Sequence, residues 1–219
     1  MNHPFKNLLA LPKGMLLFLG FYAVSFPVIW LEVKFNHHSL LADWLGLAPA
    51  LVWKGEVWRT VTYALLTGGV LGWAINLFWF ATLICILRND WSSLNFWLLI
   101  LISAFGGALP LVLLTPTTNV PLLTSGAIVF GLLAAWDRHY HRERILMLGI
   151  GEISVRQAAL FVAGLNAVIC FFTCGGWLFT LSMFCGGVAG WLYLVIGQKR
   201  VMSRGSKVVE SQRVARLEL

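Results

Sequence analysis

The sequence predicts an all-α membrane protein: a bundle of six transmembrane helices, with a short fourth helix and an interfacial loop between spans 1 and 2. Of its 219 residues, 59% are hydrophobic and only 11% are charged. A soluble domain cannot hide that much apolar surface. The chain also holds several uninterrupted apolar runs, and about 20 apolar residues suffice to cross a bilayer as a helix.

The apolar runs place the spans at residues 15–33, 60–87, 94–114, 124–136, 157–173 and 177–197. Residues 1–14 form an N-terminal segment, residues 15–197 the membrane domain, and residues 198–219 a basic tail. Between the first two spans, residues 37–57 are apolar but interrupted by charges and a proline. Trp44, Trp53 and Trp58 in and beside this stretch are typical of the headgroup level, so we expect a loop in the interface.

Small and polar residues inside the spans indicate how the helices pack. Gly68 with Gly72, and Gly186 with Gly190, are glycine pairs four residues apart, which let a neighbouring helix approach closely. Asn76 is a polar residue at membrane depth and must face protein or a cavity. We expect it to bond a neighbouring helix or loop.

The fourth span is the unusual one. From Thr124 to Trp136 it extends only about 20 Å at 1.5 Å per residue, and charges follow at Asp137 and Arg138. A helix that ends at one surface of a 30 Å core must begin below the other surface. Irregular backbone at that depth requires protein or a water-filled cavity, so we expect a polar cavity with Ser125 at its floor.

The charge distribution predicts the orientation. The segments on the side of the two termini hold 13 Lys and Arg, and the opposite loops hold 3. The positive-inside rule then places both termini in the cytoplasm. The net charge of +7 is explained by this asymmetry, or by contact of the tail with anionic membrane lipids. Nucleic acid is not an expected partner.

No cofactor or metal site is predicted. All four cysteines lie in apolar segments, and Cys170 and Cys174 share a helix face without histidine partners, so they are interpreted as packing thiols. His37 and His38 are interpreted as solvated loop residues, with a metal pair as the remote alternative.

An ordered set of motifs nevertheless resembles one family. Glu56-x-Trp58-Arg59, a second span with Asn76, a short helix that opens Ser125-Gly126, and a last span with Gly186-xxx-Gly190 follow one another. This set resembles the rhomboid family of intramembrane serine proteases, in its bacterial six-span form, over residues 57–197. The resemblance implies a location in a bacterial inner membrane.

The resemblance implies a serine nucleophile at Ser125, followed by Gly126, and oxyanion donors at the positions of Gly72 and Asn76. It also implies a histidine base at the position of Met183. Three of these positions match the family: Ser125, Gly126 and Asn76. The positions of the family's two histidines are occupied by Gly72 and Met183. Leu123 stands where the family has a glycine two residues before the serine, and Val129 stands where it has an aromatic residue. Gly126, Trp58 and Arg59 are the candidate binding residues.

A serine hydroxyl is a weak nucleophile without an adjacent base, and loss of that base costs about 10⁶ in turnover. The preferred hypothesis is therefore a pseudoprotease, a catalytically inactive protein that binds transmembrane segments of client or partner proteins. It would act as an adaptor in degradation or quality control, beside a membrane-bound protease complex. In this hypothesis Ser125 caps the short helix and Met183 fills space. The alternative is a divergent active protease using Ser125, and enzyme status stays open. A transporter is poorly supported because the spans hold almost no ionisable residues.

Overall fold

The structure is a computed structural model, and it describes residues 13–37, 39–87, 93–140, 144–147, 151–173 and 176–217. Nine α-helices and one β-hairpin make up these parts of the chain. In chain order the elements are α1 (Lys13–Asn36), α2 (Leu40–Leu45), α3 (Pro49–Trp53), α4 (Arg59–Thr62), a 3₁₀ turn (Tyr63–Leu65), α5 (Val70–Leu87), α6 (Ser93–Leu114), α7 (Gly126–Tyr140), β1 (Arg144–Met147), β2 (Gly151–Ser154), α8 (Val155–Thr173) and α9 (Trp177–Leu217).

Five of the described helices are long and apolar enough to cross a membrane: α1, α5, α6, α8 and α9. The expectation of an integral membrane helical protein is therefore supported. The helix α7 has 15 residues, about 22 Å at 1.5 Å per residue, which is shorter than a bilayer core. It is almost wholly buried, from Gly126 through Leu133.

The close-packed centre of the fold is formed by α6, α7 and α9, and glycines make it possible. A Cβ on Gly186 would lie 2.6 Å from Ala127 Cβ and 2.8 Å from the Ser103 carbonyl oxygen. A Cβ on Gly190 would lie 3.0 Å from Gly131 Cα. The predicted close approach at Gly186 and Gly190 is therefore confirmed, and this approach fixes α7 between the two longer helices.

The prediction that Gly68 and Gly72 form a glycine pair on one helix is wrong. Gly68 lies outside α5, in the irregular stretch after the 3₁₀ turn, and a Cβ there would meet nothing within 4 Å. The second span accordingly begins at Val70, ten residues later than predicted. The adjacent glycines 68 and 69 explain the break, since glycine in a helix interior is costly, and residues 59–65 form separate short turns.

The region between α1 and α5 folds as short helices held by one buried arginine. Arg59 Nη1 donates hydrogen bonds to the carbonyl oxygens of Asp43 (2.6 Å) and Gly46 (2.9 Å). Its Nε donates to the Glu56 carboxylate at 2.5 Å, and Arg59 is only 5% exposed. At the other end, the Glu32 carboxylate of α1 accepts bonds from the Ser39 hydroxyl and the Leu41 amide. Such charge-assisted bonds are stronger than neutral ones, so the loop has a fixed shape.

This loop in turn holds the segment that leads into α7. Leu47 and Leu122 exchange two backbone hydrogen bonds, of 3.0 and 2.8 Å. Gly46 packs so closely that a Cβ there would lie 2.7 Å from Pro121 Cβ and 2.9 Å from a methyl carbon of Leu123. The start of α7 is therefore positioned by the region that the sequence places in the membrane interface.

Two further differences from the sequence-based expectations lie after α7. Residues 138–156, predicted from their charges to be a basic loop between the fourth and fifth spans, contain the antiparallel hairpin β1–β2, in which Arg144 pairs with Ser154. The last helix does not end at residue 197 but continues to Leu217, through the predicted tail. His38, His141, Cys174 and the charged turn at residues 88–90 lie outside the described residues.

The glycine contact predicts a selective loss of stability in Gly186→Ala. The added methyl would meet Ala127 and a backbone oxygen, so helices must move apart, at a cost of about 1–3 kcal/mol. Gly164→Ala is the matched control, because a Cβ on that exposed α8 glycine would meet nothing within 4 Å. Thermal unfolding in detergent should show a lower Tm for Gly186→Ala only. Equal Tm values for the two variants would contradict this packing.

The variant Arg59→Gln removes the hydrogen bonds that Arg59 donates to two backbone carbonyls and to Glu56. Leaving buried acceptors without donors should cost about 2–3 kcal/mol. Lys54→Gln, which neutralises an exposed cation in the same loop, should leave stability unchanged. Limited proteolysis of residues 37–69 should be faster in Arg59→Gln, and a digestion rate like that of Lys54→Gln would rule out the proposed restraint.

Candidate functional site

The candidate site is built around the hydroxyl of Ser125, immediately before α7. The serine is completely buried, and its backbone carbonyl accepts the first helical bond, from Ile128 N at 3.1 Å. Its side-chain oxygen lies 2.8 Å from the Tyr22 hydroxyl and accepts a hydrogen bond from Asn76 Nδ2, also at 2.8 Å. Residues from α1, α5 and the start of α7 thus meet at one hydroxyl.

Aromatic packing holds Tyr22 in this position. The Tyr22 and Phe80 rings meet edge to face with centroids 4.8 Å apart. Trp73 Nε1 donates to the Tyr22 carbonyl oxygen at 3.2 Å, and the Trp73 ring stacks on Phe26. Because Phe80 and Asn76 are one turn apart on α5, the contact that seats Tyr22 also sets the height of Asn76.

The Met183 side chain packs directly against Gly126, the first residue of α7. A Cβ on Gly126 would lie 2.1 Å from Met183 Cε and 2.6 Å from Met183 Cγ. Met183 is 4% exposed, so its thioether is packed, in agreement with its predicted space-filling role. Gly126 is required for this packing, and it does not line any of the three cavities described below.

The arrangement lacks the parts that a serine nucleophile needs. Among the residues that the structure describes, Tyr22 and Asn76 alone hydrogen-bond the Ser125 hydroxyl. Near neutral pH a phenol is a proton donor rather than a base, and an amide does not take up a proton. The described residues also contain no group of three or more His, Cys, Asp or Glu that could hold a metal ion.

The predicted open cavity with Ser125 at its floor is therefore wrong. Tyr22 and Asn76 close over the serine, because an unpartnered hydroxyl in an apolar interior is costly. The Ser125 hydroxyl also does not form the predicted helix cap, since it bonds the Tyr22 and Asn76 side chains instead of a backbone amide of α7. A small pocket of about 20 Å³ does lie beside Asn76, lined by Thr124, Asn166 and Met183 among others, which is close to the size of one water molecule.

A larger groove runs past the outer side of this pocket. It has a volume of about 410 Å³ and lies between the start of α5, the segment before α7 and Phe179 near the start of α9. Gly68, Gly69 and Gly72 form one wall. Gly72 also lines the small pocket beside Asn76, so this one glycine separates the groove from the buried polar cluster.

The remaining sequence-predicted residues lie away from the Ser125 hydroxyl. Arg59 is the buried arginine of the interfacial loop, and Trp58 is 49% exposed beside it. Val129 is fully buried in the core. His37 is exposed, at a left-handed backbone position (φ 61°) just after α1, which agrees with a solvated loop residue.

Residues 15–207 match the model of a family described as eukaryotic integral membrane protein (DUF1751). The chain belongs to this family. No curated protein matches the sequence. Membership of this family supports an integral membrane protein, in agreement with the five membrane-length helices.

The family match also corrects the sequence-based assignment to the bacterial rhomboid proteases, which is wrong. The family's description is eukaryotic, so a bacterial inner membrane is not supported. The misleading signal was a set of short motifs, of which the Ser-Gly at a helix start and the spaced glycines serve ordinary packing here. Roles for Gly72 and Met183 as replaced histidines rested on that assignment, whereas the bonds among Tyr22, Asn76 and Ser125 are direct observations.

Tyr22 is the site residue that the sequence reasoning missed. It lies inside the first apolar run, and a phenol at membrane depth needs a partner just as an asparagine does. That signal was available, but a single sequence does not show which polar group on another helix is the partner.

Ser125→Ala should lower stability by about 1–2 kcal/mol, because it removes two bonds in a membrane-protein interior, where each is worth roughly 0.6 kcal/mol or more. Ser103→Ala is the matched control: Ser103 is equally buried, but its hydroxyl has no hydrogen-bond partner in the described part of the chain. That change should be neutral or stabilising. Unfolding in detergent, with Tyr22→Phe added to complete a double-mutant cycle, measures the coupling. Zero coupling between Tyr22 and Ser125 would refute the cluster.

Proposed function

We propose that this protein is a non-catalytic membrane protein that binds transmembrane segments of client or partner proteins in the groove beside α5 and α9. The observation that carries the proposal is the placement of an open, glycine-walled groove next to a sealed serine. The groove offers a place to hold a helix, and neither described partner of the serine hydroxyl, Tyr22 or Asn76, is a base that would activate it for cleavage.

The wall of the groove suits a helix as its occupant. At Gly68 and Gly69 a Cβ would meet nothing within 4 Å, so a partner can approach the backbone directly. Small residues at membrane helix interfaces permit this close approach. Since glycine has no side chain, the wall there is rich in backbone polar groups, and a client helix with a polar residue would gain hydrogen bonds that lipid cannot supply.

Holding a client without cutting it suits an adaptor in membrane-protein quality control or degradation, in which a separate membrane-bound protease complex performs the cleavage. The proposal includes α7 as a sixth, short span, which puts both termini on the same side. That side is the cytoplasm by the positive-inside rule. Of the three cations on the opposite side, Arg59 is buried and paired, which leaves fewer free charges there.

A serine hydrolase that uses Ser125 is the second candidate function. The single feature in its favour is the Asn76 amide, a donor 2.8 Å from the hydroxyl. Labelling with a fluorophosphonate probe separates the two candidates. Labelling that disappears in Ser125→Ala would support the hydrolase and contradict the non-catalytic proposal; the proposal expects no labelling.

The groove itself is tested with a photo-reactive amino acid at Leu71, in the protein reconstituted into liposomes with a synthetic transmembrane peptide that carries one central asparagine. Leu71 lines the groove and is 55% exposed. The matched control is the same label at Leu113, which is 62% exposed at the last turn of α6 and outside the groove. We expect the peptide to crosslink at least several-fold more at position 71.

Occlusion of the groove supplies the decisive comparison. Gly69→Trp places a large side chain into open space without a clash at its Cβ, so the fold should be retained while the crosslink at position 71 falls to the level at 113. Equal crosslinking at both positions, or crosslinking that Gly69→Trp does not change, would refute the groove as a helix-binding site.

A further inference from the structure

A second cleft, separate from the groove, lies between α7, α8 and α9. Its volume is about 290 Å³, at the lower end for small-ligand sites. Its walls are mainly apolar, with Phe130, Ala163 and Phe184 among them. Two charged side chains, Asp137 and Arg156, complete the lining.

Both charges lie at the same end of this cleft. Asp137 is in the last turn of α7 and Arg156 is the second residue of α8. Phe130 and Ala163 are each seven residues further into their helices, about 10 Å away at 1.5 Å per residue. The cleft therefore has a polar mouth at the helix ends and an apolar interior, like a lipid with its headgroup and chain.

One carboxylate oxygen of Asp137 and the exposed Arg156 guanidinium are available to a ligand. Asp137 Oδ1 is buried without a hydrogen-bond partner in the parts of the chain that the structure describes. Arg156 is exposed, and the described ion pair of the chain involves other residues. A buried carboxylate oxygen without a donor is costly. The last torsion of an aspartate is soft, so either oxygen can meet a donor in the cleft.

The helix ends make the two positions electrostatically different. The N-terminus of α8 carries a partial positive charge, which adds to Arg156 in favour of an anion such as phosphate. The C-terminus of α7 carries a partial negative charge, which adds to Asp137 in favour of a cation. The mouth of the cleft therefore complements a ligand that has both a phosphate and a cation.

We propose that this cleft binds a zwitterionic glycerophospholipid with a primary ammonium group, of the phosphatidylethanolamine type. Arg156 binds the phosphate, and the ammonium donates a hydrogen bond to Asp137. The apolar walls hold part of an acyl chain. A quaternary ammonium, as in phosphatidylcholine, has no N–H to donate, and an anionic phosphatidylglycerol places no cation against Asp137.

The test uses the purified full-length protein in detergent, stripped of lipid, with synthetic phosphatidylethanolamine, phosphatidylcholine or phosphatidylglycerol of identical acyl chains. Native mass spectrometry measures the bound lipid. We expect phosphatidylethanolamine to bind at least tenfold more tightly than the other two. Equal binding of all three, or tighter binding of either competitor, would overturn the proposal.

Two variants assign the headgroup contacts. Asp137→Asn and Arg156→Gln should each weaken phosphatidylethanolamine binding about tenfold, as expected for loss of a charge-assisted bond. Asp43→Asn and Arg144→Gln are matched controls, because both residues are exposed and neither lines the cleft. Unchanged affinity in the first pair, or an equal loss in the controls, would contradict the assignment.

A third variant tests the apolar part of the site. Ala163→Leu narrows the cleft from α8 and should reduce binding of phosphatidylethanolamine while the unfolding temperature is kept. Binding that stays at the wild-type level would place the lipid elsewhere. The cleft and the groove share no lining residue, so the crosslink at Leu71 is expected to be unaffected by these variants.

Discussion

The hydrogen bonding of one buried hydroxyl governs much of this structure. The short helix α7 begins inside the protein, and Ser125 at its start is completely buried. In a membrane interior no water is available to satisfy such a group. Tyr22 from α1 and Asn76 from α5 supply the partners, and the interfacial loop holds the preceding segment through the Leu47–Leu122 bridge. These bonds add polar contacts between α1, α5 and the start of α7 to the apolar packing of the helices.

The glycines divide the bundle into a tight part and an open part. In the tight part, α6, α7 and α9 approach so closely that a methyl group at Gly107 or Gly186 would overlap its neighbours. In the open part, a Cβ added to Gly69 or to Gly164 would meet no atom within 4 Å. The groove and the cleft both lie where tight helices meet open ones. In the two proposals made above, these margins are the places that take up a helix or a lipid without disturbing the core.

Hydropathy was sufficient to predict where most spans lie, because the cost of exposing polar backbone to lipid leaves few choices. Hydropathy did not predict features that depend on local sequence, such as a helix start or a short hairpin. The start of α5 was missed because the break at Gly68 and Gly69 lies within an apolar run, and the hairpin β1–β2 because its segment looked like a charged loop. The sequence drew attention to Ser125 but did not reveal its surroundings, since the partner Tyr22 is 103 residues away in sequence. The family was misassigned because short motifs of glycine and serine arise from packing as readily as from catalysis.

Neither hydrogen-bond partner of the Ser125 hydroxyl in the described part of the chain is a base, so the presence of this serine does not by itself imply chemistry. For Ser125 to attack a peptide bond, its hydroxyl would have to leave Tyr22 and lose a proton to a group that neither Tyr22 nor Asn76 provides. Loss of a base alone costs about 10⁶ in turnover. The same hydroxyl accepts a hydrogen bond from the Asn76 amide and pairs with the Tyr22 phenol, which links α1, α5 and the start of α7. A serine is suited to that position because it is small enough for the start of α7 and still bonds two partners at once. Its geometry is therefore explained by structural support of the groove beside it.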